Sequence, residues 1–168
     1  PLSLSKTFTP HWIQDINSSQ YPWLKYEVLI LQQAIEMGIP IIGVCLGAQL
    51  LSYCLGGTVR KMSGNKNSLS KAEIGWSPIE LLSNCDNDEL FEGCDLPFHV
   101  LHWHEDRIIL PSSAQLLAST EICSEQLFTL ANNCCGIQFH VEIQHDDVIR
   151  WINEDDIFIR KTFGSKGR

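Results

Sequence analysis

The run Gly43-Val44-Cys45-Leu46-Gly47 limits what this chain can become more than any other stretch. It begins inside the short apolar run Ile41-Ile42-Gly43-Val44, which opens after Pro40. A run rich in β-branched residues and bounded by turn residues reads as a strand buried on both faces. Leu46 to Leu55 has helical spacing and is closed by Gly56-Gly57. A strand that passes into a helix through Gly-x-Cys-x-Gly has the form of a nucleophile elbow, with Gly needed two residues either side of the reactive side chain. With 11 Gly and 7 Cys in 168 residues, chance would supply such a run only about 0.03 times. The bend puts Cys45 at the positive end of a helix, which favours thiolate over thiol. It also aims the Leu46 N–H at the place where an oxyanion would form. The other six cysteines lack this setting and read as packing residues.

A nucleophilic thiol needs a proton carrier, normally a His held by a third group. Of six histidines, His140 ends the apolar run Gly136-Ile137-Gln138-Phe139 and is followed two residues later by Glu142. On an extended chain residues i and i+2 share a face, so Glu142 can reach the imidazole and fix its tautomer. His102-Trp103-His104-Glu105-Asp106 offers a different chemistry, two His at i and i+2 with carboxylates. No third ligand stands at a telling spacing, so no metal centre is expected there.

The surrounding chain alternates elements. Residues 1–20 are rich in Ser, Thr, Asn and Pro and read as irregular loop. Leu24, Val28, Leu31 and Ile35 recur at helical spacing between Pro22 and Met37, with Gly38 as a stop. Thr58 to Ser70 reads as a strand followed by an exposed loop. Strands are predicted at Glu73–Leu81, Phe98–Trp103, Gln115–Ala118, Gln126–Leu130 and Cys135–Phe139, and a short helix at Asp146–Ile152. The pattern is α/β, a single domain over 1–168 around a central, partly parallel sheet.

Lys plus Arg number 12 against 20 Asp plus Glu, a net charge of −8, which argues against a nucleic-acid partner. The longest apolar runs are too short to span a bilayer, so no membrane role is expected. An odd cysteine count without a C-x-x-C pair, and no leader, point to a reducing, cytoplasmic setting.

Together, Cys45 in its elbow and His140-x-Glu142 resemble class I glutamine amidotransferases of the Cys-His-Glu triad type. Gly43-Val44-Cys45-Leu46-Gly47-Ala48-Gln49 is similar to the family's G-[IV]-C-x-G-x-Q signature. Glu73-Ile74-Gly75-Trp76 and His102-Trp103-His104-Glu105-Asp106 resemble the E-I-G-W and H-W-H-x-D segments of its stand-alone, GMP-synthase-like members. Leu117-Ala118-Ser119, Gln126-Leu127-Phe128 and Gly136-Ile137-Gln138-Phe139-His140-Val141-Glu142 resemble its L-A-S, Q-[AG]-F and G-x-Q-F-H-P-E stretches. The resemblance implies a flavodoxin-like open sheet with flanking helices and hydrolysis of the L-glutamine side-chain amide, without a cofactor. Cys45 would form a γ-glutamyl thioester, His140 would carry the proton, Glu142 would orient His140, and the Leu46 N–H would be one oxyanion donor. Gln49 would help hold the glutamine, with the backbone of Gln126, Leu127 and Phe128 near its amino-acid end. A synthetase domain or subunit would be the partner that takes the ammonia.

Val141 replaces the family's usual Pro, and Glu125 stands where Asn is common. Pro1-Leu2-Ser3 resembles the tail of the family's Gly-Gly-Pro-x-Ser loop, so the first strands of the fold are expected to be absent and the sequence to be a fragment of a longer chain. Two other functions fit the same residues. One is a γ-glutamyl peptidase or hydrolase using the same thioester chemistry; the other is a catalytically silent regulatory domain.

Overall fold

A computed structural model of the chain describes residues 21–63, 72–82, 91, 98–130 and 133–163. The readings of residues 1–20 and of the loop at 64–70 fall outside these.

The first helix, α1 (Leu24–Glu36), buries Leu24 and Val28 and ends at Gly38, whose φ of +68° suits a residue without Cβ. Strand β1 (Ile41–Val44) then feeds α2 (Leu46–Cys54) through Cys45 alone. There follow β2 (Thr58–Lys61), β3 (Glu73–Pro78), β4 (Glu80–Leu81), β5 (His99–His104), β6 (Asp106–Ile109), β7 (Gln115–Ser119), β8 (Leu127–Leu130) and β9 (Cys134–Ile137). Two helices, α3 (His145–Glu154) and α4 (Asp156–Phe163), close the order.

The main sheet runs β1-β9-β8-β7-β4. Only β1 and β9 are parallel, with Val44 opposite Ile137; the other pairs are antiparallel. Two antiparallel ribbons, β2–β6 and β3–β5, complete the strands. α2 lays Ala48 and Leu51 on Phe128, Leu130, Cys134 and Ile108, and Leu24, Val28 and Leu50 join α1 to α2. On the β4 side, Ile79, Val100, Leu117, Ala118, Leu127 and Phe139 form a second core. The architecture is the expected α/β open sheet with flanking helices.

Several expectations need correction. β1 is not buried on both faces: Ile42 is 72% exposed, and among the described residues β9 is the strand that pairs with β1. The strand predicted to start at Gln126 starts at Leu127, and the one predicted to reach Phe139 stops at Ile137, because the chain turns there to bring His140 against Leu101. The stretch from Glu73 to Leu81 is broken at Ile79 into β3 and β4, which belong to different sheets. β6 and α4 were not foreseen. Of the elbow glycines only Gly43 is sterically required: a Cβ there would lie 2.5 Å from the Gly47 carbonyl oxygen, while one on Gly47 would meet nothing within 4 Å.

Candidate active site

Cys45 sits between β1 and α2 with φ of 49° and ψ of −106°, the only non-glycine with positive φ among the described residues. Such a conformation typically costs 1–3 kcal/mol, about what a firmly held turn can sustain. Here the Cys45 N–H donates to the Ile137 carbonyl at 2.7 Å, extending the β1–β9 ladder by one residue. That bond sets the cysteine beside Gln138, whose Nε2 lies 3.7 Å from the Cys45 sulfur.

The expectation of a resting thiolate is not met. Burial pushes the Cys45 thiol up to about 12, reinforced by the negative charges of Glu142 and Asp106. The Leu46 N–H and the Gln138 amide pull the other way but do not outweigh desolvation. At neutral pH the sulfur is therefore a thiol, and a base must take its proton before it can attack. The helix N-terminus contributes through that Leu46 N–H, which interacts with the sulfur.

His140 follows β9 and is pinned by its own N–H, which donates to the Leu101 carbonyl of β5 at 2.8 Å. Its Nδ1 lies 2.8 Å from Glu142 Oε1. The second carboxylate oxygen accepts from the Val141 N–H at 2.9 Å, which fixes the carboxylate in turn. Since the carboxylate can only accept, Nδ1 carries the proton and Nε2 keeps its lone pair. The Trp151 ring of α3 stands edge-on to the imidazole with centroids 4.9 Å apart. Burial holds His140 below the usual histidine value, opposed by the Glu142 hydrogen bond and charge. No hydrogen bond joins the thiol to the imidazole among the described residues; both lie beyond the C-terminal ends of the paired strands β1 and β9.

The predicted substrate residues separate into two groups. Gln49 is buried and its Nε2 approaches Gln138 Oε1 at 3.5 Å, so Gln49, Gln138 and Cys45 form one chain of contacts. Gln126, Leu127 and Phe128 stand one strand away, joined to that chain through the backbone of Gln138 and Ile137. Leu127 and Phe128 belong to β8, between β7 and β9, and their side chains are in the cores. Gln126 is fully buried, with Nε2 donating to Glu73 at 2.6 Å and its carbonyl accepting from the Gln138 N–H at 2.8 Å. A strand inside a sheet spends its polar backbone on its neighbours. Glu125 is likewise engaged, accepting from Arg107 at 2.6 and 3.2 Å.

Two residues of the site were not singled out from the sequence. Gln138 was legible as a motif position but had no assigned role; Trp151 had no signal beyond lying in a predicted helix. The His102–His104 pair also gains what chain spacing did not reveal: Glu73 of the neighbouring strand β3 faces it as a third donor. Of the remaining cysteines, 54, 123, 134 and 135 are reduced and buried or half-buried, in keeping with packing, and 85 and 94 lie outside the described residues.

Among the described residues, no helix is long and apolar enough to cross a membrane. Comparison with known proteins bears directly on this arrangement. A glutamine-hydrolyzing GMP synthase subunit from Saccharolobus solfataricus is 31% identical over 114 residues, 67% of this chain and 55% of its own length. Its namesake from Pyrococcus abyssi is 33% identical over 127 residues, 72% of this chain and 62% of its own length. The chain thus spans little more than half the length of such relatives. The crystal structure of a glutamine amidotransferase from Thermotoga maritima superposes with a TM-score of 0.75 at 29% identity, covering 89% of this chain and 60% of that one. One from Methylobacillus flagellatus gives 0.68 at 28%, covering 79% and 50%. The family described as Glutamine amidotransferase class-I matches residues 17–154, enclosing the elbow, the His140–Glu142 pair and Trp151. This chain belongs to the class-I glutamine amidotransferases.

Proposed function

We propose that this chain hydrolyses the side-chain amide of L-glutamine through a Cys45 thioester, with His140 as proton carrier and Glu142 as its orienter. The observation that carries the reading is the His140–Glu142 contact at 2.8 Å, held beyond the same strand ends that carry Cys45. With Nδ1 committed to Glu142, Nε2 is free to accept the thiol proton as the sulfur attacks the amide carbon. On this reading the Leu46 N–H receives negative charge on the carbonyl oxygen, a contact typically worth about 3–4 kcal/mol in such reactions. His140 then returns the proton to the leaving nitrogen, and ammonia departs. A water molecule, deprotonated by the same nitrogen, cleaves the thioester to glutamate and restores the thiol.

The names of the relatives support glutamine as substrate and a nucleotide synthetase as the consumer of ammonia. Our reading gives this chain the same division of labour, with the acceptor bound on a partner domain or subunit. The chemistry needs neither metal nor cofactor. The test is product release: L-glutamine should yield ammonia and glutamate in equal amounts, and Cys45→Ala should abolish both. Faster turnover of γ-glutamyl dipeptides than of glutamine would overturn the substrate assignment. Undiminished release by Cys45→Ala would overturn the mechanism.

A further inference from the structure

We propose that Glu73, His102 and His104 form a buried site for a divalent transition metal, with the donor set of a Zn²⁺ centre. One donor atom from each lies within 4.8 Å of the others. All three residues are more than nine-tenths buried, with 6%, 1% and 4% of their surface exposed. Cross-strand pairing assembles them: Glu73 on β3 is directly opposite His104 on β5, and His102 is two residues along the same strand, on the same face.

The polar contacts leave three nitrogens unaccounted for. His104 Nδ1 lies 2.9 Å from the Asp106 carbonyl, which can only accept, so Nδ1 carries a hydrogen and Nε2 is the nitrogen left to bind a metal ion. Nε2 stands 3.0 Å from Glu73 Oε2, outside good hydrogen-bond alignment. A carboxylate oxygen and an imidazole nitrogen that close need a cation between them, either a proton or a metal ion. His102 goes further. A Ser77 backbone group lies near the ring, yet neither ring nitrogen makes a hydrogen bond of good geometry among the described residues. A fully buried imidazole whose ring has only a loosely aligned backbone neighbour is an unusual expense in a protein interior.

The outer contacts are those of a metal site. Metal-binding His generally donates its other N–H to a carbonyl, as His104 does, and ligating carboxylates are themselves hydrogen-bonded. Glu73 accepts from Thr120 Oγ1 at 2.5 Å and Gln126 Nε2 at 2.6 Å. Two imidazoles and one carboxylate suit Zn²⁺, whose tetrahedral ligand atoms stand about 3.3–3.5 Å apart. The Glu73–His104 pair is already near that span, and rotation of the His102 ring would bring in the third donor. The site is separate from the proposed thioester chemistry and stands without it. It communicates with Cys45 through Glu73, Gln126 and Gln138.

The full chain, stripped with a chelator and dialysed against Zn²⁺, is expected to retain one metal per chain by mass spectrometry. Its thermal midpoint should rise with Zn²⁺ concentration. His102→Gln and His104→Gln should each lose the metal, whereas His145→Gln, on the surface, should keep it. Should His104→Gln fail to fold, His102→Gln decides, because the ring it replaces makes no hydrogen bond of good geometry among the described residues. Co²⁺ in place of Zn²⁺ should give tetrahedral visible bands without the thiolate charge-transfer band that ligation by Cys45 would add. No metal retained by the wild type, retention by His102→Gln, or a thiolate band would each overturn the proposal.

Discussion

Two opposing effects meet on the Cys45 sulfur, and burial outweighs the helix end. A thiol pushed up to about 12 reacts slowly with a simple alkylating reagent, because the anion is scarce at neutral pH. A glutamine-shaped alkylating analogue brings its electrophile to the sulfur while His140 is positioned to accept the proton. We therefore expect iodoacetamide to show little preference for Cys45 at pH 7, and the analogue to label it ahead of the other six cysteines by peptide mapping. Equal labelling by the analogue would count against the assignment. His140 makes the second prediction. Its folded pKa is held below 6.5 by burial, so the neutral base persists below that pH and the acid limb of kcat/KM falls under 6.5. Both contributions of Glu142 raise that pKa, so Glu142→Gln should move the limb to still lower pH. The same variant should lower kcat by about 10²-fold, since the imidazolium loses its partner. A pH profile that stays put or moves upward would remove Glu142 from the triad.

The turn between β1 and α2 depends unequally on its glycines. A methyl on Gly43 would overlap the Gly47 carbonyl and the Ala48 nitrogen, both backbone atoms that cannot step aside. Gly43→Ala should therefore cost more than about 2 kcal/mol of stability, whereas Gly47→Ala, inside α2, should be neutral or gain up to about 1 kcal/mol. Urea midpoints of the two variants give the comparison, and equal losses would mean that the elbow is not the tight point. The same contrast explains what was legible in the sequence. Gly43 and Cys45 stand in a pattern whose spacing carries the geometry, and His140-x-Glu142 does likewise. β6 was hidden because it starts one residue after β5, with the turn held by Glu105, a charged residue that reads as loop. α4 was hidden because only Asp155 separates it from α3, with no Gly or Pro to mark the break. The partner of the Gln126 side chain was not legible either: a motif shows that a residue is wanted, not that its amide meets a buried carboxylate.

The site is assembled from segments nearly a hundred residues apart, so its precision depends on how the layers are tied. Trp151 can lie on His140 only while α3 stays in place. α3 is anchored through Trp103, which packs on Trp151 at 5.7 Å and on Phe158 of α4 at 6.3 Å and donates to Asp155 at 3.0 Å. Glu105 adds a longer-range tie. Only 5% exposed, it accepts from Lys61 of β2 at 2.6 Å and from Lys161 of α4 at 2.8 Å, joining elements 44 and 56 residues away. A buried carboxylate that loses one of two cations is left poorly compensated, whereas a neutral amide in its place would not be. Lys61→Met should therefore destabilise the chain by about 1–2 kcal/mol, reduced from the fully buried case because the lysine is one-third exposed. In a Glu105→Gln background the same substitution should cost less, leaving only the 3.5 Å contact of Lys61 with Asp106 to be lost. A coupling near zero in this double-mutant cycle would show that Lys61 and Glu105 are not paired in solution. If the tie holds α4 and α3 over the imidazole, Lys161→Met should also raise the acid limb of kcat/KM toward 6.5, as water gains access to His140 and the charged ring becomes easier to form. Glu142→Gln moves that limb the opposite way, so the two substitutions distinguish shielding of the ring from its orientation.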